Sequence, residues 1–194
     1  QNKDFEQIKV FLKSDASVFI LRGYAGTGKT TMVKVIADYI KQSRQLVMMA
    51  PTGRAARVLN KKTGHDAVTI HKAIYGKAHV QPKKVKDVAE SEFKFVFPIN
   101  QSENGGNIVA IVDEASMVCS RKIEHELFMF GTDNQMDDLL TFVRPNFGGK
   151  VIFVGDPAQL PPVGESVSNA LRAEYFQEKG LKVIEAELTE VLRQ

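Results

Sequence analysis

The octapeptide GYAGTGKT occupies residues 23–30 of this 194-residue chain. Its spacing, a glycine followed by four residues and then Gly-Lys-Thr, is that of a phosphate-binding loop. The apolar residues 18–21 before it predict a buried parallel strand, and apolar residues recur at helical spacing after it. A turn between a strand and a helix is the context in which this motif is specific, so we expect a P-loop here.

A P-loop holds the phosphates of a nucleoside triphosphate with inward-facing backbone N–H groups, which its glycines and the following helix N-terminus supply. Lys29 is placed as a point charge for the β- and γ-phosphates, and the Thr30 hydroxyl as a Mg²⁺ ligand. The sequence therefore predicts ATP and Mg²⁺ as cofactors. The expected nucleotide-binding residues are Gly23, Tyr24, Ala25, Gly26, Thr27, Gly28, Lys29, Thr30 and Thr31.

The composition is that of an ordinary globular domain, with 43% apolar and 25% charged residues. No run of 18 apolar residues indicates a membrane span, and the N-terminus lacks the apolar core of a signal peptide. The single cysteine, Cys119, excludes an internal disulfide and fits a reducing compartment. We therefore expect a cytoplasmic, monomeric protein without membrane contact.

The charge is distributed unevenly along the chain. Residues 1–97 contain 18 Lys and Arg against 8 Asp and Glu, whereas residues 98–194 contain 8 against 15. A basic first half is expected where a polyanionic partner binds, although a solvated surface would have the same charge pattern.

Short apolar runs alternate with helical patterns along most of the chain. Strands are predicted at residues 18–21, 45–50, 108–112, 151–154 and 181–184, and helices at 1–15, 29–43, 54–59, 136–143 and 169–179. Residues 68–70 fit either a strand or the lead into a short helix at 71–75, and residues 124–135 are expected to form a loop. This alternation predicts a mostly parallel sheet sandwiched by helices, with its ligands at the carboxyl ends of the strands.

Residues 77–107 interrupt this pattern and are interpreted as a small inserted β-hairpin, so that the main domain comprises residues 1–76 and 108–194. Phe93, Phe95 and Phe97 alternate along the insertion. We favour the interpretation that they form the buried face of the hairpin. The alternative is a stacking platform for bases or a pin that separates strands.

Two further strand ends carry candidate catalytic groups. Asp113 and Glu114 follow the apolar residues 108–112 as a Walker B pair, in which Asp113 would bind Mg²⁺ through water and Glu114 would act as general base. After residues 151–154, Gln159 precedes two prolines that restrict the backbone. Its amide can both donate and accept a hydrogen bond, as a sensor of the γ-phosphate must, although a plain proline-rich turn would also explain the prolines.

Six blocks occur in the order GYAGTGKT, MAPTGRAAR, TIHKAIYG, VDEASM, VGDPAQLPPVG and LTEVLRQ. Together they span essentially the whole chain, and they resemble superfamily 1 helicases of the RecD-like, Dda-like branch and the related Pif-type helicases. The resemblance implies a RecA-like motor domain that hydrolyses ATP when stimulated by DNA and translocates on single-stranded DNA, usually 5′ to 3′.

The resemblance also implies roles for single residues. Gln1 would read adenine, Gln159 would sense the γ-phosphate, and Arg193 would contact the γ-phosphate from the domain boundary. The expected catalytic residues are then Lys29, Glu114, Gln159 and Arg193, with Thr30 and Asp113 at the metal. The residues expected to contact DNA are Pro51, Thr52, Arg54, Thr69 and His71, which all lie in the basic half.

A helicase motor of this family closes ATP between two RecA-like domains, and we expect the second one to be the partner of this chain, which would then be an N-terminal motor domain alone. The four histidines, His65, His71, His79 and His125, show no metal-ligand spacing, so zinc is not expected. A function of a different class, a P-loop switch or regulatory module without helicase activity, is also compatible with the P-loop. It predicts nucleotide binding that is not coupled to nucleic acid.

Overall fold

The computed structural model describes residues 2–83, 92–100 and 107–189. Within these ranges the strands are β1 Val18–Gly23, β2 Gln45–Ala50, β3 Ala67–Thr69, β4 His79–Lys83, β5 Glu92–Phe97, β6 Ile108–Val112, β7 Phe128–Phe130, β8 Lys150–Gly155 and β9 Val183–Leu188. Six of them form one sheet in the order β3-β2-β6-β8-β1-β9, and all of its pairings are parallel. The predicted α/β fold is thereby confirmed.

Helices cover both faces of this sheet. They are α1 Asn2–Lys13, α2 Lys29–Ile40, α3 Gly53–Thr63, α4 Ile70–Ile74, α5 Gln135–Val143 and α6 Ala173–Glu178. Apolar side chains of α1, α2 and α3 share one buried cluster, and those of α4, α5 and α6 share the other. None of these described helices is long and apolar enough to cross a bilayer.

The central strand β6 is buried on both faces because it is apolar at every position. All five residues of β6 are buried, and alternate side chains enter opposite clusters: Ala110 and Val112 on one side, Val109 and Ile111 on the other. The period of two in a strand produces this division, so an uninterrupted apolar run is required wherever helices cover both faces.

Some element boundaries differ from those predicted. Both interpretations of residues 68–70 hold in part, since β3 ends at Thr69 and α4 begins at Ile70, with the Thr69 hydroxyl accepting from Lys72 N–H at 3.2 Å. The helix predicted at 169–179 is a 3₁₀ turn, Asn169–Leu171, followed by the shorter α6. The last strand lies at Val183–Leu188 rather than at 181–184 because it pairs with β1 along its whole length.

A second sheet of three strands has the order β4-β5-β7. The predicted hairpin is its antiparallel β4–β5 pair, while β7 joins in parallel, with Phe95 opposite Phe128. The prediction that residues 124–135 form a loop is therefore wrong for Phe128–Phe130. A strand of three residues has no periodicity to read, and its pairing with β5 is a tertiary interaction.

The aromatic residues of β5 are buried to very different degrees. Phe97 packs against the main core and stacks on Phe130, with ring centroids 4.6 Å apart. In contrast, Phe93 is 53% exposed and Phe95 is 42% exposed. The favoured interpretation of a buried face is correct only for Phe97 and wrong for the other two, because no described layer covers that end of the second sheet.

A buried carboxylate joins the two sheets. Asp138 of α5 is fully buried and accepts from the Tyr75 hydroxyl at 2.7 Å, from Thr132 N–H at 3.0 Å and from the Thr132 hydroxyl at 2.8 Å. Tyr75 ends α4, and Thr132 follows β7 by two residues. Asp138 therefore holds α4 and the end of the second sheet against α5.

Replacing Asp138 should destabilise the fold much more than replacing its neighbour. We expect Asp138→Ala to lower the free energy of unfolding by about 3 kcal/mol, because it leaves buried donors without an acceptor. Asp137→Ala removes a partly exposed ion pair with Lys179 at 2.7 Å and should cost under about 1 kcal/mol. Urea denaturation of both variants checks this, and equal losses would contradict the role given to Asp138.

Candidate active site

The P-loop connects β1 to α2 with a backbone that its glycines make possible. Gly26 and Gly28 have φ angles of 80° and 81°, in the left-handed region that favours glycine. The hydroxyl of buried Thr27 donates to the Tyr24 carbonyl at 2.8 Å and holds the loop in this shape. No side chain caps the start of α2 at Gly28, so the first-turn N–H groups remain able to bind an anion.

Gly23 lies where the loop leaves the sheet, and there is no space for a side chain. A Cβ at this position would lie 2.6 Å from Thr27 Oγ1 and 3.1 Å from Leu188 Cβ. The loop can therefore close against β9 only with glycine at this position.

Lys29 reaches back over the loop. Its Nζ donates to the carbonyls of Gly23 at 2.6 Å and Tyr24 at 2.9 Å, and it lies 3.8 Å from Asp156 Oδ2. Asp156 is only 5% exposed and follows β8, the strand beside β1. The ammonium is thus held at the carboxyl ends of two neighbouring strands.

The predicted Walker B pair lies at the end of β6, on the other side of β8. Asp113 donates its backbone N–H to the Met49 carbonyl at 3.0 Å. Burial raises the pKa of its carboxyl to about 6, and the negative charge of Glu114 adds to this. Glu114 has a φ of 52°, a left-handed conformation that is uncommon outside glycine and often found at functional sites.

Gln159 is exposed, and a buried hydroxyl orients it. Ser116 is fully buried two residues after Glu114, and its Oγ donates to Gln159 Oε1 at 2.7 Å. The backbone N–H of Gln159 donates to the Asp156 carbonyl at 3.1 Å. The amide N–H₂ of Gln159 is therefore left to meet another acceptor.

Neither Ser116 nor Asp156 was predicted from the sequence to be a site residue. They lie inside the motif blocks VDEASM and VGDPAQLPPVG, Ser116 two residues after Glu114 and Asp156 three residues before Gln159. Polar residues beside a catalytic group and next to a fully apolar strand were the available signal. Their partners, Gln159 and Lys29, come from other segments and could be identified only in the folded chain.

The residues expected at the metal suit Mg²⁺. Thr30, in the first turn of α2, and Asp113 supply oxygen ligands only, which Mg²⁺ prefers. Within the described ranges, no three or more His, Cys, Asp or Glu side chains gather into a metal cluster. A cation here would therefore depend on phosphate and water oxygens for the rest of its ligands.

A cavity of about 420 Å³ lies beside the P-loop. Residues of α1, Thr27 and the end of β9 line it, including Gln7, whose buried Oε1 has no hydrogen-bond partner among the residues that the structure describes. Gln1, expected to read adenine, and Arg193, expected at the γ-phosphate, both lie outside the described residues.

The residues expected to contact DNA lie at or just after the carboxyl ends of β2 and β3, on the side of the sheet away from β1 and β9. Ala50 of β2 pairs with Thr69 of β3, so Pro51 and Thr52 leave the sheet beside Thr69. The Thr52 hydroxyl caps α3 by accepting from Ala55 N–H at 3.1 Å, and Arg54 is exposed one residue further into the helix. These residues share the sheet edge that carries the P-loop.

His71 lies in α4 against the second sheet. Its ring meets that of Phe130 edge-on at 5.3 Å, and the Gln135 amide nitrogen lies 3.1 Å from its Nδ1. Partial burial lowers the pKa of His71, and the neighbouring His125 lowers it further. At neutral pH the ring is therefore uncharged, with Nδ1 accepting from Gln135 and the proton on Nε2.

A family model described as AAA domain matches residues 3–194. The chain belongs to this AAA domain family. The resemblance to RecD-like, Dda-like and Pif-type helicases is confirmed by the relatives of this AAA domain. It is 35% identical over 146 residues to the ATP-dependent RecD2 DNA helicase of Deinococcus radiodurans, covering 74% of this chain and 16% of the relative.

Two further relatives are also named as ATP-dependent DNA helicases. The AAA domain is 28% identical over 195 residues to dda of Enterobacteria phage T4, covering 100% of this chain and 38% of the relative. It is 31% identical over 158 residues to Pif1 of Psychrobacter sp., covering 79% of this chain and 21% of the relative. The AAA domain thus matches well under half the length of each of these relatives.

Solved structures of Pif1 helicases have the same fold. A structure of two coordinating Pif1 helicases at forked double-stranded DNA matches with a TM-score of 0.60 at 24% identity, covering 100% of this chain and 44% of that one. Bacteroides Pif1 in complex with ADP-AlF3 and single-stranded DNA matches with a TM-score of 0.53 at 23% identity, covering 98% and 42%.

The close approach at Gly23 makes a direct test of the P-loop possible. We expect Gly23→Ala to weaken nucleotide binding at least tenfold, because the new methyl group displaces Thr27 and with it the loop. Gly53→Ala is the matched control, since a Cβ at Gly53 meets nothing within 4 Å. Titration with a fluorescent ATP analogue measures both, and unchanged binding by Gly23→Ala would show that the loop tolerates the displacement.

Proposed function

We propose that the chain is the ATP-hydrolysing first motor domain of a DNA helicase that translocates on single-stranded DNA in the 5′ to 3′ direction. The observation that supports this proposal is that the candidate groups lie at the same edge of the sheet. Lys29 lies 3.8 Å from Asp156, and the neighbouring strand β6 ends at Asp113 and Glu114. Thr52 and Thr69 lie further along this edge. A nucleotide site and a candidate nucleic-acid surface therefore share one rigid sheet.

Nucleotide binding is assigned to the P-loop. Its backbone N–H groups and the N-terminus of α2 hold the phosphates, which draw the Lys29 ammonium away from the Gly23 and Tyr24 carbonyls. Thr30 and Asp113 would hold Mg²⁺, which supplies neutralisation of the negative charge that develops on the phosphates. The cavity beside the loop would take the nucleoside, with Gln1 reading adenine.

Hydrolysis is assigned to Glu114 and Gln159. Glu114 orients the attacking water and accepts its proton. Gln159 presents its amide N–H₂ to the γ-phosphate, since Ser116 occupies the carbonyl oxygen of the same amide. Arg193 would add a positive charge from the domain boundary, and a second RecA-like domain would complete the site.

DNA binding is assigned to the surface next to the nucleotide site. The hydroxyls of Thr52 and Thr69, the backbone at Pro51 and the exposed Arg54 suit phosphate oxygens, which favours binding that depends little on sequence. His71 adds an uncharged N–H donor. The second sheet, formed by part of residues 77–107 together with Phe128–Phe130, would lie alongside as a separate unit.

The first test concerns Glu114 in the full-length protein. We expect single-stranded DNA to stimulate ATP hydrolysis by the wild type, and Glu114→Gln to bind ATP normally but lose at least about 100-fold in kcat, because a general base is removed. Glu126→Gln, which changes an exposed glutamate, should behave as the wild type. Failure of DNA to stimulate the wild type would favour the P-loop switch instead.

The second test separates charged from uncharged DNA contacts. Arg54→Ala should reduce the slope of log Kd against log salt concentration by about 0.7, because one contact to a single-strand phosphate is lost. His71→Ala should weaken binding while leaving this slope unchanged at pH 7.5, since the lowered pKa of His71 keeps its ring neutral. Fluorescence anisotropy with an oligothymidylate measures both slopes, and an equal change in both would contradict the assignment.

A further inference from the structure

Hydrogen bonds link the loop that carries Gln159 to His71 through residues to which no role has been given above. We propose that Glu165, acting through Ser120 and α5, is a positioning residue that couples the nucleotide site to the DNA-contacting surface. The inference rests on the proposed function, in which Gln159 senses the γ-phosphate and His71 contacts DNA.

Glu165 fastens the loop after β8 to the segment after β6. One carboxylate oxygen accepts from Ser120 N–H at 2.7 Å, and the other accepts from the Ser120 hydroxyl at 2.5 Å. The Asn169 side-chain amide donates to the same hydroxyl at 2.8 Å, which fixes the direction of that bond. Hydrogen bonds to a carboxylate are about twice as strong as neutral ones, so this attachment is firm.

A close packing contact reinforces the attachment. Gly164 has a φ of 81°, and a Cβ there would lie 2.5 Å from Cζ of Arg121. The Arg121 guanidinium therefore lies directly on the backbone of the loop after β8, which carries Gln159. Together with the bond between Ser116 and Gln159, these contacts join the two segments at three successive points.

Ser120 is in turn fastened to the N-terminus of α5. The Asn134 side-chain amide donates to the Ser120 carbonyl at 3.0 Å, while its oxygen caps the helix by accepting from Asp137 N–H at 3.2 Å. Met136 N–H donates to the Cys119 carbonyl at 3.1 Å. A shift of the segment after β6 therefore moves the first turn of α5.

The first residue of α5 completes the connection. Gln135 lies 3.1 Å from His71 Nδ1, where its amide sets both the orientation of the ring and the nitrogen that carries the proton. A displacement at Gln159 can thus reach His71 through side chains that each have a defined partner. A connection of this kind carries coupling only if both sites bias it, and the coupling energy between the two sites measures this.

The experiment measures the coupling itself in the full-length protein. The dissociation constant of an oligothymidylate is determined by anisotropy with and without a non-hydrolysable ATP analogue and Mg²⁺. We expect these to differ at least about fivefold in the wild type, and linkage requires DNA to change analogue affinity by the same factor. In Glu165→Gln the two dissociation constants should differ by less than about twofold, while ATP hydrolysis without DNA should be unchanged. Glu178→Gln, an exposed glutamate on α6, should keep the wild-type factor.

A second variant guards against a folding defect. Ser120→Ala retains the backbone N–H bond to Glu165 and loses only the hydroxyl bonds, so it should reduce the factor less than Glu165→Gln does. A wild-type factor in both variants would overturn the inference, as would an equal loss of DNA affinity with and without the analogue. A wild type without coupling and without DNA-stimulated hydrolysis would overturn the proposed function and the inference together.

Discussion

The parallel pairing of β6, β8 and β1 is the constraint on which the site depends. Val112 lies opposite Phe153, and Arg22 lies opposite Gly155, so the three strands end at one edge within about three residues of each other. Parallel strands buried on both faces exchange hydrogen bonds away from water, and their apolar side chains fill cores on each side. A shift of one residue would turn every side chain to the wrong face, and this fixes Lys29 near Asp156.

The same edge of the sheet holds partly buried carboxylates and a left-handed backbone residue, each of which costs folding free energy. Asp113 and Asp156 are carboxylates with restricted access to water, and the pKa of Asp113 is raised to about 6 mainly by burial. Glu114 has a backbone conformation that costs on the order of 1 kcal/mol outside glycine. The buried strands hold these groups in place, so that a metal cation bound with the phosphates would meet carboxylates that are already in position.

The parts of the fold that were predictable are those whose signal is local. GYAGTGKT, the uniformly apolar β6 and the apolar residues 151–154 of β8 each carry their pattern within a few residues. In contrast, β7 consists of three residues whose partners in β5 are 33 positions away, and the exposure of Phe95 depends on which layers cover the second sheet. Ser116 could be seen as polar but not paired with Gln159, because that contact joins two loops.

The segment from β7 to α5 explains how two sheets can act on one another. Phe130 packs on Tyr75, and Gly131 N–H donates to the Phe97 carbonyl, so the end of the second sheet is fixed to α4. A few residues later the same segment begins α5, whose Asp138 accepts from Tyr75. Since α4 is thus held on two sides, its displacement would require both contacts to move together. Tyr75 takes part in both contacts, so a movement of α5 at Asp138 acts on the residue that packs against the second sheet.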